Sequence, residues 1–134
     1  MYTRIAIAAL AIIGSISCGI AEGPREKLRH SAFLFNEGLR WNRYNEVLPR
    51  VDPAAQEHFS QMHEGWGENL RVESADIVQS VYDSKTKKAD ISVKFTWYRL
   101  TEMEVCTTVT VQHWEYTDAG WIMMAEEYKS GTPF

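Results

Sequence analysis

The side chains that suggest chemistry are scattered along the chain. Proton transfer needs a carboxylate or histidine tuned towards neutral pH by burial, with a hydrogen-bond donor opposite. His113, Tyr44, Tyr98, Glu115 and Glu126 are of the right types, yet no pair of them stands at a spacing that demands catalysis. Metal chemistry fits less well. His58 and His63 are five residues apart, which misses the i, i+4 pair that grips zinc. His30 and His113 are remote in sequence, and no second cysteine lies nearby to complete a tetrahedral site. Solvated or locally hydrogen-bonded histidines are therefore expected, with no metal and no cofactor. Glycine-rich phosphate loops and G-x-S-x-G elbows are absent. Cys106 sits within a strand pattern, where a lone cysteine reads as a small hydrophobe rather than a nucleophile.

Arg99 is the sharpest single residue. Ala89, Ile91, Val93, Phe95 and Trp97 alternate along one face of a strand, and Arg99 continues that series, so a cation emerges on the core-facing side near the strand end. In one reading its stem packs on Trp97 and its head reaches solvent. In the other it contacts an anion or a partner at a pocket mouth walled by Trp97 and Trp114, with Tyr44 closing the pocket from the helical side. The tryptophans fall on apolar stripes or beside turns, which is the pattern of core residues.

Two kinds of element must position these groups. Pro24 suits the first turn of a helix, and Leu28, Ala32, Phe35 and Leu39 follow at helical spacing. Gly38 weakens that helix near its end. Trp41, Tyr44, Val47 and Leu48 suggest a short second helical piece that stops before Pro49. Asp52-Pro53 reads as a cap and first turn, and Ala55, Phe59, Met62 and Trp66 lay down a third apolar stripe bracketed by Gly65 and Gly67. From Leu70 the period changes to two. Strands are expected near Val72–Tyr82, Ala89–Tyr98, Glu104–Tyr116 and Trp121–Tyr128, with a turn at Asp118-Ala119-Gly120. Strands joined so closely are antiparallel neighbours. The fold class expected is α+β: N-terminal helices packed on a strongly curved antiparallel sheet of about four strands.

The 134-residue chain carries a net charge of −4 and five tryptophans. Its one basic cluster, Lys85, Lys87 and Lys88, falls at an expected hairpin tip. No basic stripe with interleaved aromatics appears, so a nucleic-acid partner has no support.

The N-terminus supplies an address. One cation, Arg4, precedes an apolar run from Ile5 to Ile13 and then Gly14-Ser15-Ile16-Ser17-Cys18. A charged start, a short apolar core and small residues before a cut site make a secretory signal, and the run is short of the roughly 20 apolar residues that span a bilayer. It resembles a bacterial lipoprotein signal, which implies a signal peptide over 1–17, a diacylated (palmitate-type) Cys18, a tether over 18–23 and one domain over 24–134. Ser17 and Ile16 fit that box, whereas Ser15 stands where leucine is usual. Cleavage before Cys18 without lipid, cleavage before Glu22, and an uncleaved anchor are the alternatives. Gly19 after the cysteine is not the aspartate associated with inner-membrane retention. The resemblance thus implies a cell-envelope protein held by lipid in the outer membrane and facing the periplasm.

Helices followed by Trp97-Tyr98-Arg99, by Gln112 with Trp114 and by Gly120-Trp121 resemble the nuclear transport factor 2-like superfamily from about Pro24 to Tyr128. That resemblance implies a cone-shaped α+β fold, often with a pocket, whose members include ketosteroid isomerase, polyketide cyclases and non-catalytic binding modules. Such folds insert a short strand between the second and third helices. Only Val47–Val51 could supply it, and Pro49 works against it. Since one fold hosts unrelated functions, three expectations stand. The first is a non-catalytic domain binding a small molecule or an envelope protein; the second is a small isomerase- or cyclase-type enzyme; the third is a structural accessory of an envelope assembly.

Overall fold

The computed structural model describes residues 21–134; the expected signal segment and the first half of the tether, Cys18 included, lie outside the described residues. Among the described residues no helix is long and apolar enough to cross a membrane.

Helix α1 (Pro24–Arg40) starts on its proline and buries the whole expected stripe of Leu28, Ala32, Phe35 and Leu39. Asn36 is buried on the same face, a polar group among apolar neighbours. Gly38 does more than weaken the helix end: a Cβ there would lie 2.6 Å from Val47 Cγ2, so glycine lets α2 (Tyr44–Val47) press directly on α1. The α-helix stops before Pro49, as expected, but the chain keeps turning. It passes through the proline as a 3-10 turn, Leu48–Arg50, because a proline in a helical first turn forfeits no needed N–H. The short strand that the resemblance implies over Val47–Val51 is reduced to one parallel bridge, Val51 to Met123, with Asp52 N–H donating to the Met123 carbonyl at 2.9 Å.

Asp52 caps a second 3-10 turn, Pro53–Ala55, by accepting from Ala54 N–H at 3.2 Å. Helix α3 then covers only Gln56–Met62. It ends before Trp66, contrary to the expected stripe, because His63 closes it as C-cap and Gly65 turns the chain at φ 83°. Trp66 enters the core from the turn instead of from the helix, and is 4% exposed.

The sheet is a four-stranded antiparallel meander in the order β1 (Leu70–Asp83), β2 (Lys88–Arg99), β3 (Val105–Thr117), β4 (Gly120–Gly131). The β2–β3 ladder is regular, whereas β1–β2 and β3–β4 each carry two register shifts, at Val72/Ser74, Ile77/Gln79, Val109/Thr110 and His113/Trp114. Bulges of this kind bend the strand that holds the extra residue, so the outer strands curl around the helices. They also explain why β1 alternates imperfectly in the sequence. Phe35 of α1 meets Trp114 edge-on at 5.1 Å and Phe59 of α3 at 5.7 Å, which ties both helices to the inner face.

The outer face carries a polar clasp. His113 Nδ1 lies 2.6 Å from Asp90 Oδ1 and Nε2 lies 3.1 Å from Glu127 Oε2. Partial burial lowers the His113 pKa, but the two carboxylates outweigh it and the net shift is upward. A raised histidine stabilises the fold fully below its unfolded value of about 6.5, and that stability is lost as pH rises through the folded value. With the partners well exposed, the clasp is worth under about 1 kcal/mol. An NMR titration of the His113 ring should show its pKa falling in Asp90→Asn; an unmoved pKa would disprove the clasp.

Candidate functional site

The inner face of β3 is polar. Paired opposite Phe95, Val93, Ile91 and Ala89 of β2 stand Thr108, Thr110, Gln112 and Trp114, all buried. Val109, Val111 and His113 therefore face outward. Two members of this row, Thr110 and Gln112, solvate one carboxylate. Glu126 of β4, 3% exposed, accepts from Gln112 Nε2 at 2.9 Å and from Thr110 Oγ1 at 3.1 Å. Its other oxygen makes a short contact with His63 Nε2. Gln112 and Asn36 then exchange two hydrogen bonds, at 2.8 and 3.1 Å, and Asn36 closes on its own helix at the Ala32 carbonyl. A continuous chain of polar groups thus runs from α1 through β3 and β4 to the end of α3.

Burial raises the Glu126 pKa, and the His63 charge, the His63 hydrogen bond and those from Gln112 and Thr110 together overcome it, so the net shift is downward. Tyr44 donates its hydroxyl to the His63 carbonyl at 2.8 Å. Burial, and then the Glu126 charge, push the Tyr44 pKa well above its ordinary value, which fixes it as a donor. Chemically, the His63–Glu126 pair can hold one proton between two buried groups. Aromatic rings wall it off: Phe59 lies 4.4 Å from the His63 ring, Trp66 4.3 Å and Phe134 6.0 Å, centre to centre. Phe134 is brought there by the Gly131 turn, where φ is 89° and a Cβ would clash with the Thr107 carbonyl at 2.3 Å.

Open surface lies on the other side of Trp66. A groove of about 520 Å³ runs between the C-terminal end of α1, the Trp66–Leu70 turn and the β2–β3 hairpin. Its walls include Trp41, Trp66, Tyr98, Met103 and Val105, with Arg40 and Arg71 as cations and Glu73 as the opposing acid. Trp41, Met103 and Val105 are 58, 77 and 61% exposed, a large apolar display for so small a domain. Neither His63 nor Glu126 lines the groove.

The expected quartet is not assembled. Trp97 pairs with Cys106 and Trp114 with Ala89, eight rungs apart on the β2–β3 ladder, and both indoles are buried in the core. Trp97 donates its N–H to Thr108 at 2.8 Å, so it serves packing and the polar row. Arg99 is half-buried with its guanidinium itself 5.1 Å from the Trp97 ring centre, and it does not line the groove. Tyr44 belongs to the buried network, not to a pocket rim. His63 is neither solvated nor locally bonded: it is 1% exposed and joined to a residue 63 positions away. Glu126 and Tyr44 are of types that suggest proton transfer and Gln112 belongs to the residues that carry the fold resemblance, whereas the spacing of His63 argues only against zinc and Thr110 and Asn36 carry no functional signal in the sequence. Cys106 is half-buried and free, and the Lys85–Lys88 tip is exposed.

No protein-family model matches the chain, and no curated protein matches it. Among solved structures it is similar to a crystal structure from Nostoc punctiforme PCC 73102, described as a protein of unknown function with a cystatin-like fold. The TM-score is 0.56 at 9% sequence identity, over 81% of this chain and 91% of that chain. A likeness at that identity carries the fold and nothing about activity. Three helical segments followed by a four-stranded antiparallel meander, together with that likeness, give this chain a cystatin-like α+β fold.

Proposed function

We propose that this chain is an envelope lipoprotein whose domain binds a ligand or partner without performing chemistry. One observation carries the binding reading: the only buried ionisable pair among the described residues is walled by aromatic rings, its carboxylate held by His63, Gln112 and Thr110, while the aromatic–cationic groove stands open. Proton-transfer sites need their acid or base within reach of substrate, and the His63–Glu126 pair has no opening onto the groove. Apolar walls with a few fixed charges suit recognition.

The groove also lies at the end of α1 remote from the tether. Seventeen residues of helix put about 24 Å between Pro24 and Arg40 at 1.5 Å per residue. A lipid on Cys18 would thus leave the groove facing away from the bilayer, in the periplasm for an outer-membrane anchor. Intact-mass measurement on membrane-fraction protein should show a chain beginning at an acylated Cys18. A soluble product beginning at Glu22 would overturn the anchor. Binding is read on the same protein in lipid nanodiscs, with empty nanodiscs as background. The groove should quench or shift Trp41 fluorescence when a water-soluble naphthalene probe is titrated in; a probe without effect on Trp41 overturns the binding reading.

A further inference from the structure

We propose that the groove takes a small amphipathic anion: a carboxylate, sulfonate or phosphate on a flat apolar body, its oxygens meeting Arg40 Nε–H and Trp66 Nε1–H. This rests on the binding reading above and names the chemistry of that same groove.

Three buried side-chain polar atoms among the described residues have no hydrogen-bond partner: Arg40 Nε, Trp66 Nε1 and His63 Nδ1. Buried polar groups are nearly always satisfied, because an unmade hydrogen bond leaves the full cost of desolvation uncompensated. These three are not dispersed. Arg40 and Trp66 line the groove, and the His63 ring stands edge-on to Trp66 at 4.3 Å directly behind it. Two of the three are obligate donors, since neither a guanidinium nor an indole N–H accepts. The missing partner is therefore an acceptor, and beside a guanidinium the strongest acceptor is an anion.

The charges agree with this. Glu37 Oε1 lies 3.6 Å from Arg40 Nη1, too far for a hydrogen bond, and Glu37 instead accepts the Trp41 indole N–H at 3.2 Å. Arg71 makes no ion pair within 4 Å among the described residues. Among the lining residues two guanidiniums face the single carboxylate of Glu73, and since Glu37 pairs with Arg40 from outside the lining, Arg71 supplies the charge left for an anion. The apolar half of the ligand is matched by Trp41, Met103 and Val105, which line the groove and face water. The unpartnered donors are screened in the free protein. Trp41 lies with its ring 4.8 Å from the Arg40 guanidinium and is 58% exposed, so it is the side chain placed to move aside when the acid group enters.

A matched pair of probes separates charge from shape: naphthalene-2-sulfonate and its neutral sulfonamide, titrated into the full mature chain in nanodiscs and read by Trp41 fluorescence and amide NMR shifts. Naphthalene-2-sulfonate should bind at least tenfold tighter than the sulfonamide, and inorganic sulfate should bind far more weakly than either. Arg40→Gln should erase the sulfonate's advantage and leave the sulfonamide unchanged. Trp66→Phe, which keeps a ring and removes the N–H, should weaken the sulfonate about threefold to tenfold. Arg99→Gln should change nothing. Equal affinity for the two probes overturns the anion site while leaving groove binding intact, whereas failure of both probes overturns groove binding itself. Sulfate matching the sulfonate overturns the amphipathic class, and loss of affinity only in Arg99→Gln moves the site to the strand end. Amide spectra of each variant confirm that its fold is retained.

Discussion

Truncating Glu126 to alanine is expected to destabilise the protein by about 3–5 kcal/mol, the cost of breaking a buried ion pair by removing one partner. His63, Gln112 and Thr110 would each lose an acceptor in a buried space. His63→Ala should fall in the same range, because it strands the carboxylate. Replacing both members with apolar side chains of similar volume should cost less than either single change, since no charge is then left unpaired. Chemical denaturation of the three variants checks this; a double variant at least as destabilised as the worse single would show that the pair itself, and not only the charge left behind, contributes stability.

The same pair predicts a direction with pH. Glu126 is held below the ordinary carboxylate value of about 4.3. A depressed carboxylate contributes stability that is present above the unfolded pKa and lost as pH falls through the folded one. Acid unfolding should therefore steepen below about pH 4 in the natural protein, and the steepening should be absent in Glu126→Gln. That variant keeps hydrogen-bonding groups toward Gln112 and Thr110 but has no proton to gain in this range.

The elements were legible because their apolar periods are clean. Leu28, Ala32, Phe35 and Leu39 form an unbroken helical stripe, and Ala89 to Trp97 an unbroken strand face, and all nine are buried as that spacing demands. The polar interior was hidden for the same reason. Reading apolar residues inward assigns Val109 and Val111 to the core, yet β2–β3 pairing puts Thr108, Thr110 and Gln112 there. Thr110 and Gln112 face the core because a carboxylate from another strand accepts from both, and Thr108 because it takes the Trp97 N–H; 14 residues separate Gln112 from Glu126. His63 was obscured by a boundary: continuing α3 to Trp66 places it on a helix, whereas as C-cap it turns into the centre. The groove needed three segments that no local pattern links, namely the end of α1, the Trp66–Leu70 turn and the β2–β3 hairpin.

Phe59→Ala should cost about 3–5 kcal/mol through lost transfer energy and the cavity left behind. Phe59 is 2% exposed and is the one fully buried side chain of α3, a helix of only seven residues. Helices that short have little stability of their own, so this ring fixes α3 to the rest of the domain through Phe35 at 5.7 Å and through the His63 ring at 4.4 Å. The second contact makes Phe59 a wall of the buried pair, and its removal opens a path for water to Glu126. Hydrated, the carboxylate no longer depends on His63, so the penalties of Phe59→Ala and Glu126→Ala should overlap. Residues in contact commonly couple by about 0.5–3 kcal/mol, and here the double variant should be less destabilised than the sum of the two singles by an amount in that range. Strict additivity would mean that the ring and the pair are held independently. A single-variant cost below about 1 kcal/mol would mean that α3 does not seat against α1 at all.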